Sequence, residues 1–394
     1  MSLIKHACRV IAGQSPSGDD VTDLDGGMPF LQGKAEFGSH SPEPRYECAT
    51  APKIAPRGSV LVSVRAPVGA VNMADRAYGI GRGLAAVVPA RASAVYVRYL
   101  MEARAPYLRS LATGSTFEAI AAADIGGIAV PVEPLSEQQA IEDYLDRETA
   151  KIDTLIEKQT TMIERLRERQ AAVISTAVAD RGDAVTLASL SQRGGFFDGD
   201  WVESKDQDPQ GEIRLLQLAD VGDGQFRDRS DRRVNAATFA RLRCSALRAD
   251  DILIARMPDP LGRACVLPSD QAGAITVVDV AVLRVDHARA VPKYVMYALN
   301  SAAARSAIEV QQDGATRQRI PRKKLGKIAL PVPPLDEQRE IAAYLDRETA
   351  KIDNLIAKVE RHIELAKERR AALITAAVTG QIDVTTSTQS GDAA

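Results

Sequence analysis

The chain has 394 residues, 45% of them hydrophobic and 26% charged, with a formal net charge of −2. That balance belongs to globular rather than disordered chains, and the length suits two or three domains of roughly 100–200 residues each. No apolar run approaches the ~20 residues of a bilayer span, and Met1-Ser-Leu-Ile-Lys-His lacks the apolar stretch of a secretory signal, so a cytoplasmic protein with no membrane attachment is expected.

The chain opens with short apolar segments broken by Gly, Pro and Asp. Ser59-Val-Leu-Val-Ser-Val-Arg65 and Gly83-Leu-Ala-Ala-Val-Val read as strands, and Val95-Tyr-Val-Arg-Tyr-Leu-Met-Glu as a helix. A Gly114-Ser-Thr116 turn and a proline-flanked strand close this first block, residues 1–133. From Ser136 to Ala179 there is neither Gly nor Pro, which predicts one long helix within 134–182. Ser136 and Asp336 are the expected N-caps, with Ser136 and Gln139 at capping-box spacing. The second block, 183–333, has the same layout: strands at Asp251-Ile-Leu-Ile-Ala-Arg256 and Ala274–Leu283, a helix at Val291–Leu299 and a Gly314-Ala-Thr316 turn. A second long helix fills 334–380, and 381–394 reads as a disordered tail. Residues 1–133, 134–182, 183–333 and 334–394 carry formal charges of +1, −3, +3 and −3 in turn.

The two helical segments repeat at a period of 200. Residues 134–179 align without a gap onto 334–379, with 27 of 46 positions identical and an unbroken identical run from Tyr144 to Asp153. The first copy places Ile152, Ile156, Gln159, Ile163, Leu166, Gln170, Val173 and Ala177 on a seam that steps by four and three. The second places Ile352, Ile356, Val359, Ile363, Ala366, Arg370, Leu373 and Ala377 there. Such a stripe needs an apolar partner, so the two helices are expected to pair, with Ile152, Ile156, Ile163, Leu166, Val173, Ile352, Ile356, Val359, Ile363 and Leu373 at their interface. At 1.5 Å per residue each would be about 65 Å long. The expected fold is α+β: two blocks of mixed or antiparallel sheet, separated by two long antiparallel coiled-coil helices in a pseudo-twofold arrangement.

The order of motifs resembles the specificity subunit of a Type I restriction-modification system. It rests on Val130-Pro-Val-Glu-Pro-Leu-Ser-Glu-Gln138 and Leu330-Pro-Val-Pro-Pro-Leu-Asp-Glu-Gln338 before the helices, Gly114-Ser-Thr-Phe-Glu-Ala-Ile120, Ser63-Val-Arg-Ala-Pro-Val-Gly69 and Phe197-Asp-Gly-Asp-Trp-Val-Glu203. It covers the chain to about residue 380; the first block lacks a counterpart of Asp198-Gly-Asp-Trp201, so its opening is expected to be truncated or divergent. The resemblance implies two target recognition domains, each reading half of a split site in double-stranded DNA. It also implies paired helices that fix the half-site separation and dock two DNA methyltransferase subunits, with translocase-nuclease subunits joining the full complex. The methyl donor, S-adenosylmethionine, would sit in the methyltransferase, leaving this chain without cofactor or catalytic residue. The competing reading is a coiled-coil interaction adaptor that never touches DNA.

The densest basic cluster is Arg317, Arg319, Arg322, Lys323, Lys324 and Lys327, suited to neutralising phosphates. Arg65 and Arg256 end corresponding strands and Arg263 follows closely; an arginine fork at such a loop matches guanine O6 and N7. Lys34, Arg76 and Arg82 are weaker candidates. Asp198 or Asp200 with Glu203-Ser-Lys205 mimics a metal-dependent nuclease, but these carboxylates crowd one Gly-broken turn rather than adjacent strands. Gly79-Ile-Gly-Arg-Gly83 reads as a turn rather than a nucleotide loop, and neither an Asn/Asp-Pro-Pro-Tyr segment nor a Walker A loop is present. Cys8, Cys48, Cys244 and Cys265 form no CxxC pair and His6, His40, His287 and His362 are scattered, so no metal is expected.

Overall fold

The computed structural model describes residues 2–112, 118–131, 133–258, 260–313 and 318–384. The Gly114-Ser-Thr116 and Gly314-Ala-Thr316 turns, Arg317 and the tail beyond Val384 lie outside the described residues. The chain divides into two compact units, Met1–Thr160 with Glu360–Ala394 and Thr161–Val359, so each unit owns one block and half of each long helix.

In the first unit, β1 (Cys8–Ala12), β2 (Pro29–Leu31), β3 (Tyr46–Glu47), β4 (Val60–Ser63), β5 (Val71–Met73), β6 (Tyr78–Ile80) and β7 (Leu84–Pro89) precede α1 (Ala94–Leu111) and the long α2 (Leu135–Val178). An inner antiparallel sheet runs β1-β7-β4-β5. An outer sheet runs Thr22–Asp23, β3, β2, β6, Ile54–Ala55, with β2 and β6 parallel. All four β4 residues are buried, as an apolar run covered on both faces demands. One face packs under α1, with Tyr99, Leu100 and Met101 in the same core as Val60 and Val62. The other, through Leu61 and Ala86, meets Leu31 and Tyr78 of the outer sheet.

The second unit repeats the plan. It holds β8 (Ser191–Asp198), β9 (Ile213–Leu216), β10 (Arg233–Val234), β11 (Ile252–Ala255), β12 (Ala264–Val266), β13 (Ile275–Thr276), β14 (Val280–Val285), α3 (Pro292–Leu299) and the long α4 (Leu335–Val378). The inner sheet is β8-β14-β11-β12, again antiparallel, and the outer is β10-β9-β13 with β9 and β13 parallel. The apolar stretch 274–283, expected as one strand, is two: β13 joins the outer sheet and β14 the inner one. The chain turns between them where the Val280 amide bonds the Val277 carbonyl, and this lets one apolar run serve two layers.

In both units a short antiparallel ladder ties the block's first strand to its last, Ser2–Leu3 to Ala129–Val130 and Asp183–Thr186 to Ala329–Val332. The long helix starts immediately after. Its start differs from the expected cap: helix begins at Leu135, with the Pro134 carbonyl accepting from the Glu137 and Gln138 amides, so Ser136 lies inside the first turn. In the second copy helix likewise begins at Leu335, before Asp336.

Seam positions pair the helices within each unit. In the first, Ile141 and Leu145 share a core with Ile374, Ala377 and Val378, and Arg370 reaches Asp153 and Glu102. In the second, Val173, Ala177 and Val178 meet Ile341, Ala342 and Leu345, and the Gln170 amide donates to Asp353 at 2.9 Å. Early residues of one helix thus meet late residues of the other, the antiparallel sense. Ile152, Ile163, Leu166, Ile352, Val359 and Ile363 are buried, and Ile156, Val173, Ile356 and Leu373 half-buried.

The repeated motif has a physical reason: it fastens each block to its own helix. Gln138 is buried; its Oε1 accepts from the Ser93 amide at 2.9 Å, at the N-terminus of α1, and its Nε2 donates to the Glu133 carbonyl at 2.8 Å. Gln338 does the same for α3, accepting from the Val291 amide at 2.8 Å and donating to the Pro333 and Arg289 carbonyls. About two turns further along the long helix, the Tyr99 hydroxyl donates to Asp146 and lies 3.2 Å from the Thr149 hydroxyl. Tyr297 mirrors it, 2.9 Å from Asp346 and 3.2 Å from Thr349. The identical run Tyr144–Asp153 is therefore a joint, used twice.

Candidate nucleic-acid interface

The inner sheets end in matching strands, but their arginines are one residue out of step. At the end of β4 the Val64 amide bonds the Gly83 carbonyl; Arg65 follows Val64 and Arg82 precedes Gly83. Both are exposed, and among the described residues neither guanidinium makes a hydrogen bond or ion pair. At the end of β11 the Arg256 amide bonds the Asp279 carbonyl, so Arg256 stands where the first block has Val64, and Asp279 where it has Gly83.

Arg256 corrects the sequence expectation. It is 6% exposed: Nε donates to the Ile320 carbonyl at 3.0 Å, and Nη1 to the Val278 carbonyl at 3.2 Å and to Asp198. Burial pulls its pKa below the ordinary arginine value, with Asp198 opposing that pull. Arg263 is a second correction. It too is 6% exposed, and it donates to the carbonyls of Val221, Leu218, Pro260 and Met257. A guanidinium presents five donors in a rigid fork, so it can gather several loop carbonyls as readily as it can grip a base. Both arginines are buried and tie loop carbonyls together, in place of the exposed position at a loop that the sequence suggests.

The basic cluster divides by engagement. Arg322 donates to Asp198 at 3.1 Å and to the Phe196 carbonyl at 3.0 Å. Arg319 lies 3.4 Å from Asp279, and Lys324 bonds Asp313. Lys323 and Lys327 are exposed, with no ion pair among the described residues. The cluster therefore offers two free ammonium groups beside a partly neutralised ridge, not six independent cations.

The nuclease-like acids disperse. Asp198 bridges Arg256 and Arg322, Asp200 accepts from the Ser245 amide at 3.0 Å, and Glu203 pairs with Lys205 at 2.7 Å. Burial raises the Asp200 pKa above the ordinary carboxylate value. Among the described residues no group of His, Cys, Asp and Glu is placed to hold a metal ion. Burial pushes the Cys8 and Cys244 thiols up to about 11 and Cys265 to about 12, so none is a thiolate at neutral pH. No described helix is long and apolar enough to cross a membrane.

Sequence reasoning missed a third basic element, Arg227-Asp-Arg229-Ser-Asp-Arg232-Arg233. Its alternating acids mask it in a net-charge count; only its exposure and the anchoring of its backbone set it apart.

Two blocks on one frame, each joined to paired helices by the same buried glutamine and tyrosine–aspartate contact, define a duplicated α+β protein. The sequence profile of the Type I restriction modification DNA specificity domain matches residues 7–165 and 246–365, and the chain belongs to that family. It is 39% identical over 139 residues to the putative type I restriction enzyme MjaX specificity subunit of Methanocaldococcus jannaschii, covering 35% of this chain and 33% of that protein. It is 36% identical over 77 residues to the type I restriction enzyme EcoBI specificity subunit of Escherichia coli, 20% of this chain and 16% of that one. The aligned stretches thus span a third or less of these curated relatives. A chain in a solved structure described as the basis of complex assembly and conformational transition of the type I R-M system superimposes with a TM-score of 0.70. It shares 17% identity across 97% of each chain, so it has the same fold.

Proposed function

We propose that this chain is the DNA-reading, non-catalytic subunit of a Type I restriction-modification complex. Each block reads one half of a bipartite double-stranded site, and the long helices dock two DNA methyltransferase subunits, with translocase-nuclease subunits joining in the restricting assembly. Such a protein works in the cytoplasm, where its DNA is. One observation carries the reading: the family profile matches both copies of the block-and-helix repeat, 7–165 and 246–365. Two unlike surfaces on one repeated frame suit two unlike half-sites, because base-edge contacts specify sequence whereas phosphate contacts position the protein.

The test is DNA binding by the chain assembled with its methyltransferase partner, after methylome sequencing of the host with and without the gene has identified the site. A preference for one bipartite duplex, with log K falling linearly as log salt rises, is expected. Equal affinity for all duplexes would overturn the reading in favour of an adaptor.

Two further outcomes follow. Inserting seven residues into each long helix keeps the seam in phase and adds about 10 Å. The preferred spacer should lengthen by about three base pairs at 3.4 Å each, with both half-sites unchanged; methylation of a spacer library reads this out. Lys323→Glu with Lys327→Glu should weaken binding to every duplex by a similar factor and reduce the salt slope by about two. A loss confined to one base position would instead make these lysines base readers.

A further inference from the structure

The outer sheets of the two blocks carry the same small device with different side chains. After β2, the buried Glu36 accepts from the Gly33 amide at 3.0 Å through its side chain and from the Glu43 amide at 2.8 Å through its carbonyl. Between them Phe37 bridges Pro42, and the Gly38 amide bonds Ser41. After β9, the fully buried Asp220 accepts from the Gln217 amide at 2.7 Å and, through its carbonyl, from the Arg227 amide at 2.8 Å. Val221 bridges Phe226 and the Gly222 amide bonds Gln225, contact for contact. In both blocks the chain then runs as a short strap to the strand that pairs back on the same sheet, β3 on β2 and β10 on β9.

The straps differ in length and chemistry. The first is Glu43-Pro-Arg45 leading into Tyr46, with Arg45 and Tyr46 exposed. The second is Arg227-Asp-Arg229-Ser-Asp-Arg232, and there the buried acid does more: Asp220 Oδ1 also accepts from the Arg229 amide at 2.9 Å and the Ser230 amide at 2.8 Å. Arg214 neutralises Asp228 and donates to the Ser230 carbonyl at 2.8 Å. The backbone is thus fastened from beneath while Arg227 and Arg229 stand exposed, and among the described residues neither guanidinium makes a hydrogen bond or ion pair.

We infer that this strap is a DNA contact of each block and a place where half-site preference is set, with Arg227 and Arg229, on the strap that the Asp220 carboxylate holds, engaging the duplex in the second block. The inference rests on the DNA-reading function proposed above. A fixed backbone keeps the ordering entropy of a presented arginine low, and the guanidinium fork matches both phosphate and the O6/N7 edge of guanine. The contrast between copies selects DNA over a protein partner. A partner docking equally on two repeats needs like residues on both, as the identical joint supplies, whereas two half-sites need unlike ones.

The experiment uses the full chain assembled with its methyltransferase partner, and three duplexes: the intact site, the site with the second block's half scrambled, and the site with the first block's half scrambled. Arg227→Ala with Arg229→Ala is expected to lower affinity for the intact site at least about tenfold and to make the salt slope shallower by one to two. It should also shrink the penalty for scrambling the second half while leaving the penalty for the first unchanged. If wild type tells the duplexes apart and the variant matches it in affinity and slope, the strap is not a DNA contact and the inference falls alone. If wild type tells none of them apart, the function proposed above fails and takes the inference with it.

Discussion

Arg256→Leu is expected to destabilise the second block by about 2–4 kcal/mol and, through that, to abolish DNA binding. The substitution removes a buried guanidinium that serves the Ile320 and Val278 carbonyls and Asp198. Orphaned buried acceptors cost about 1–3 kcal/mol each, and breaking a buried ion pair about 3–5 kcal/mol. Asp198 is about one-third exposed and keeps Arg322, which discounts the ionic part. Denaturant unfolding of the full chain checks the stability, and hydrogen exchange should place the loss in the β8-β14-β11-β12 sheet. Arg65→Leu, one residue past the position that matches Arg256 and exposed, should leave the melting temperature almost unchanged. An Arg256 variant that melted like wild type and lost discrimination at one base pair would restore it as a base reader.

Gln338→Leu is expected to cost a similar amount, about 2–4 kcal/mol, and to loosen the second block from its helix. Leucine fills the space but leaves the Val291 amide and the Pro333 carbonyl without their partner in a site where Gln338 is fully buried. Gln138→Leu should do the same to the first block alone, through Ser93 and Glu133. Protection of α3 against hydrogen exchange should fall in the first variant and that of α1 in the second. Equal loss of both in either variant would mean that the joint does not act locally.

The same glutamine shows what a sequence can and cannot disclose. The repeat at 134–179 and 334–379 was visible because identity at a fixed period needs no geometry, and the seam was visible because a helix maps a step of four and three onto one face. The run Tyr144–Asp153 was equally visible, but its purpose was not. Its partners, Tyr99 and Tyr297, lie about fifty residues upstream in each copy, and nothing in a one-dimensional pattern ties a helix tyrosine to an aspartate on another helix. The strand ends at Arg65 and Arg256 were placed correctly and looked alike. What separates them is register: Arg256 occupies the position of Val64, where Asp198 from another strand and the Ile320 carbonyl enclose it, whereas Arg65 falls one residue further on.

Sequence alone thus determined the long helices and the β-rich blocks, which follow from local periodicity and composition, the duplication, which follows from identity at a fixed spacing, and a family resemblance carried by the motifs themselves. Only the tertiary structure decided which arginines face solvent and which are struts, how one apolar run divides between two sheets, and that Glu36 and Asp220 anchor equivalent straps. The reason is that burial and pairing are set by strands distant in the chain, and a charged side chain takes its role from whichever group the fold brings within hydrogen-bond reach.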